Sequence, residues 1–121
     1  MLARADYSDI AAISQKMVEA SEAIAALVER TAAARQVREY DSERRRGALS
    51  RAVVPFLDQG ESATAAEHKA RASTGYSAAM RLLGCQLQVA EEVMAEYDSH
   101  KIRFECARSL LSIQKSLVTN L

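Results

Sequence analysis

Residues 76–118 read YSAAMRLLGCQLQVAEEVMAEYDSHKIRFECARSLLSIQKSLV. One line of places seven residues apart through this stretch holds Tyr76, Leu83, Ala90, Tyr97, Phe104, Leu111 and Val118, apolar at every step. Seven residues are close to two helical turns, so an unbroken apolar line of this kind implies a long α-helix with a continuous packing seam. The companion line reads Met80, Leu87 and Met94 and then turns basic at Lys101, Arg108 and Lys115, while Leu110, Ile113 and Leu117 supply new apolar surface. The seam is therefore expected to rotate or change partner near Ser99.

Upstream, Thr64-Ala65-Ala66-Glu67 fits a capping box, in which the threonine side chain meets the glutamate N–H and the glutamate reaches back. No proline follows it, so the long helix is expected over about 64–117. Asp58-Gln59-Gly60-Glu61-Ser62 is the clearest turn, placed at 58–63. Before it, Leu49, Ala52, Val53, Phe56 and Leu57 make a short amphipathic helix, about 48–57, set off by Gly47 and kinked or broken at Pro55. Ile10, Ile13, Met17, Ala20, Ile24, Leu27 and Ala34 alternate three and four apart, with a skipped polar place at Thr31, which predicts a first helix over about 9–45. Ser8 or Asp9 is its expected cap, and Asp6 lies at the same end, favourable to the helix dipole.

The 121 residues make one domain, with one proline, four glycines and no tryptophan. The predicted fold is all-α, a long antiparallel helical hairpin of coiled-coil type with a short kinked helix before the turn. Two helices cannot cover an apolar stripe on all sides, so a homo-oligomer is expected. Tyr97, Phe104, Leu111 and Val118, flanked by Lys101 and Arg108, are the predicted oligomer or partner seam. Tyr76, Tyr97 and Phe104 read as packing residues on the seam or, alternatively, as stacking platforms for bases.

Sequence signatures of enzymes are missing: there is no glycine-rich phosphate loop, paired CxxC, HExxH or GxSxG. A di-iron bundle needs Glu-x-x-His pairs, yet Ala65 precedes His68 by three residues and Tyr97 precedes His100. A non-enzymatic protein without cofactor or metal is the expectation. Cys85 and Cys106 lie 21 residues apart, roughly 30 Å along one helix, and cannot pair within it. Thiols kept reduced in a cytoplasm, or a disulfide between subunits, are the two readings. No stretch approaches a membrane span, and 1–14 lacks the apolar centre of a signal peptide, so a cytoplasmic protein with no membrane partner is expected.

Sixteen basic residues balance sixteen acidic ones, so the charge pattern carries more than the total. From Arg35 to Arg51 six arginines face three acids, and Lys69 and Arg71 come soon after the turn. Arg35, Arg38, Arg44, Arg45, Arg46, Lys69 and Arg71 are the candidate site for a nucleic acid or an acidic protein partner, since arginine forks grip phosphate and carboxylate. Leu82 to His100 holds only acids, Glu91, Glu92, Glu96 and Asp98. Such blocks also serve as solvated faces or set helix pairing.

Gly60-Glu-Ser, then Glu67-His-Lys-Ala-Arg-Ala-Ser73, Tyr76, and finally Arg108-Ser-Leu-Leu-Ser-Ile-Gln-Lys115 resemble small helical proteins of tailed bacteriophages. Those are often encoded beside recombinases and single-strand-binding proteins. The resemblance implies a phage or prophage origin and an accessory role in recombination or host takeover, with no catalytic residue to carry over. An inhibitor of a host defence nuclease and a helical subunit of a ribonucleoprotein complex are the other expected roles.

Overall fold

A computed structural model describes residues 7–119, which form four helices and no strand. They are α1 (Tyr7–Ala26), α2 (Val28–Asp58), α3 (Ala63–Arg71) and α4 (Thr74–Thr119). The chain divides into two compact units. Among the described residues, one takes 7–31 together with 93–119, and the other is Ala32–Glu92.

The expected first helix is two helices that meet at Leu27. There the Leu27 N–H bonds to the Ile24 carbonyl at 3.1 Å, a tightened turn of the kind that interrupts an α-helix for one residue. The seam continues through it. Thr31, expected as a skipped place, is 4% exposed and donates its hydroxyl to the Val28 carbonyl at 3.0 Å, so its polarity is satisfied locally. Ser8 and Asp9 lie inside the first turn of α1 and not ahead of it. Asp6 lies outside the described residues.

No separate helix covers 48–57, because α2 runs unbroken through Gly47 and Pro55 to Asp58. Proline removes one backbone donor, and this close to the helix end the loss is confined to a single bond. The end itself is well closed. Gly60 adopts φ +85°, its N–H bonds to the Leu57 carbonyl at 3.0 Å, and the Glu61 N–H reaches Phe56 at 3.1 Å. That paired pattern is a Schellman closure, and glycine supplies the left-handed turn it needs.

The long helix also differs from expectation at its start. Ser62, two residues before Thr64, is the cap, its hydroxyl accepting from the Ala65 N–H at 3.2 Å, and Glu67 pairs with Arg71. The helix then stops at Arg71 and restarts at Thr74. Ser73 explains the restart: its hydroxyl donates to the Ala70 carbonyl at 2.6 Å and accepts from the Tyr76 N–H at 3.3 Å, ending one helix and capping the next. Short polar side chains compete with the helix in this way.

Within each unit the packed segments run antiparallel. In the unit of Ala32–Glu92, Arg38 pairs with Glu91 at 2.9 Å and Arg45 reaches the Met80 sulfur at 3.7 Å, so later residues of α2 meet earlier residues of α4. In the other unit Arg30 lies 3.7 Å from Glu96, while Ile13 and Ala20 share a groove with Ala107 and Leu110. The core is thin. Among the described residues eleven apolar ones are buried, seven of them alanine, including Ala66 and Ala70 at 0% exposure, and no large side chain is fully buried. Ala20, Leu27, Ala34 and Ala48 lie on one heptad line, whose remaining place between them is Asp41, half-buried and held by Arg45 at 2.9 Å.

Gln114 sits on the α4 seam with its Oε1 buried and without a hydrogen-bond partner. An unsatisfied buried carbonyl costs about 1–3 kcal/mol. Replacing Gln114 with leucine is therefore expected to raise the unfolding free energy by about 1 kcal/mol, read as a later midpoint in urea denaturation at unchanged slope.

Candidate functional site

The seven basic candidates lie in the unit of Ala32–Glu92, five on α2 and two on α3. Successive residues on a helix point about 100° apart, so Arg44, Arg45 and Arg46 fan around α2. Arg38 is paired with Glu91 and Arg45 with Asp41, each at 2.9 Å, Arg71 with Glu67 at 2.9 Å, and Lys69 with Glu61. Arg35 is also engaged in an interaction. Arg44 and Arg46 are exposed and make no ion pair with another described residue.

The predicted oligomer seam turns inward. Leu111 is buried, and Tyr97, Phe104 and Val118 are half-buried within their own unit, while Lys101 and Arg108 are exposed. The companion to this line changes sides. Before Tyr97 the buried or half-buried partners lie four residues on, at Met80, Leu87 and Met94; after it they lie three on, at His100, Ala107 and Gln114. The steps Met94 to Tyr97 to His100 are both of three residues, a stammer in the heptad repeat. This is the rotation expected near Ser99, and it leaves Leu110, Ile113 and Leu117 outside the core.

Those residues belong to a second line. Stepping along α4 by four and three gives Ala78, Leu82, Cys85, Val89, Glu92, Glu96, Ser99, Arg103, Cys106, Leu110, Ile113 and Leu117, and all twelve are exposed. In the unit of Ala32–Glu92 its apolar part is Ala78 to Val89, with Leu82 at 60% and Val89 at 59% exposure. In the other unit it is Cys106 to Leu117, with Leu110 at 51%, Ile113 at 56% and Leu117 at 46%. Scattered exposed leucines are ordinary on any surface, whereas a heptad line of them has the form of a packing seam. Both free cysteines lie on it.

Beside the line, a groove of about 360 Å³ opens between α1 and α4, lined by Ile13, Ala20, Ala23, Cys106, Ala107 and Leu110. His100 is half-buried at its edge, its Nε2 3.9 Å from Glu96, and His68 is exposed. Among the described residues no three His, Cys, Asp or Glu side chains gather in a metal-holding group, and no helix is long and apolar enough to cross a membrane. The four-three stepping that finds the inner seam also finds the outer line when started from Ala78. The signal was in the sequence but divided by the charged places from Glu92 to Arg103.

Comparison with protein-family models, with curated proteins and with solved structures gives no match to this chain.

Proposed function

We propose that this chain is a non-enzymatic helical adaptor that acts by self-association and protein contact through the outer line of α4. The observation that carries the reading is the set of five large apolar side chains, Leu82, Val89, Leu110, Ile113 and Leu117, each 46–60% exposed on one heptad line. In this reading the antiparallel pairs are parts of one long hairpin, whose inner seam serves the fold and whose outer line serves assembly. An accessory role in phage recombination or host takeover rests on the likeness of 60–76 and 108–115 to phage proteins.

The ion pairs on Arg38, Arg45, Lys69 and Arg71 count against a nucleic-acid surface, because each pair has to break before a phosphate takes the acid's place. Light scattering tests the proposal. A dimer or larger species at roughly tens of micromolar is expected, and a strict monomer at that concentration contradicts it.

A further inference from the structure

We infer that the occupant of the outer line is the same line of a second copy, lying antiparallel in one defined register. The inference rests on the assembly reading above and specifies its geometry. In an antiparallel helix pair, each seam place of one kind faces a place of the other kind, so the residue numbers of facing partners add to a constant. When that constant is 195, Ala78 faces Leu117 of the second copy, Leu82 faces Ile113, Cys85 faces Leu110 and Val89 faces Cys106. Glu92 then faces Arg103, and Glu96 faces Ser99. Every apolar place meets an apolar place, and the one basic place meets an acid. The two-fold axis repeats each pair, so the apolar segment of 78–89 in each copy covers the segment of 106–117 in the other.

Other arrangements fail on charge. A parallel pair sets Glu92, Glu96 and Arg103 each against its own copy. Sliding the antiparallel pair by one heptad sets Glu92 against Glu96 in one direction and Glu92 against Leu110 in the other. Like charges facing one another, or a carboxylate facing leucine, disfavour those registers, which is how charged places commonly fix helix pairing. Arg103 is exposed and makes no ion pair with another described residue, so it is available to a partner carboxylate.

Two measurements on the full chain test the register. Glu92→Arg and Arg103→Glu are each expected to weaken the dimer about tenfold or more, and the double variant, which restores opposite charges, to recover most of the loss. Second, Cys85→Ser/Val89→Cys keeps Cys106 as its facing thiol and is expected to form a covalent dimer under mild oxidation. Cys85→Ser/Ile113→Cys, whose thiols face Val89 and Leu82, is expected to crosslink far less. Circular dichroism of each variant confirms that the helices remain. A dimer insensitive to the charge reversals, or equal crosslinking of both cysteine variants, overturns the register while leaving self-association standing. A wild-type chain that stays monomeric overturns both.

Discussion

Truncating Leu111 to alanine is expected to lower the unfolding free energy by about 2 kcal/mol or more, while the same change at Leu110 shifts it by less than about 0.5 kcal/mol. The two leucines are chain neighbours on α4, and only their faces differ. Leu111 is 8% exposed on the inner seam, whereas Leu110 is 51% exposed on the outer line. Loss at Leu111 combines the transfer term for the missing methyl and methylene groups with the cavity they leave. The surrounding core is largely alanine, and alanines have no side-chain length with which to fill a hole. The result belongs at the low end of the usual range because a thin seam encloses a small cavity. Urea denaturation at submicromolar chain reads the comparison, since dilution keeps assembly from adding to the apparent stability.

The second large effect is on association. Leu110→Glu together with Ile113→Glu is expected to abolish the dimer, weakening it by a factor of roughly a hundred or more, because each carboxylate has to lose water against an apolar partner. Helix content and the denaturation midpoint at low concentration are expected to stay near those of the wild type, since both side chains are more than half exposed in the chain itself. Light scattering and circular dichroism on the same samples separate lost assembly from lost folding. A double variant that still assembles with wild-type affinity removes this end of the line from the interface.

Much of the fold was legible in the sequence because the inner seam is an arithmetic property. Tyr76, Leu83, Ala90, Tyr97, Phe104, Leu111 and Val118 are all buried or half-buried, and the change of partner near Ser99 is the stammer around Tyr97. The boundaries were less legible, and for one physical reason. Whether a small polar residue caps a helix depends on the backbone around it, so Ser62 took the place assigned to Thr64, and Ser73 divided a helix expected to run on from 64 to 117. Pro55 misled in the opposite direction, because one lost hydrogen bond near a helix end does not stop a helix that is closed by Gly60. The basic cluster was visible as composition, whereas its ion pairs were not, because the carboxylates of Glu61, Glu67 and Glu91 come from other turns or another helix.

The outer line of α4 as an assembly surface is tested most directly by the chain's own thiols. Cys85 and Cys106 are exposed, three heptads apart on that line. Their rate of reaction with a thiol-specific reagent, followed against protein concentration alongside light scattering, is expected to fall for both cysteines together as the chain assembles. Assembly with no slowing of either thiol would show that another surface forms the contact and would contradict the account.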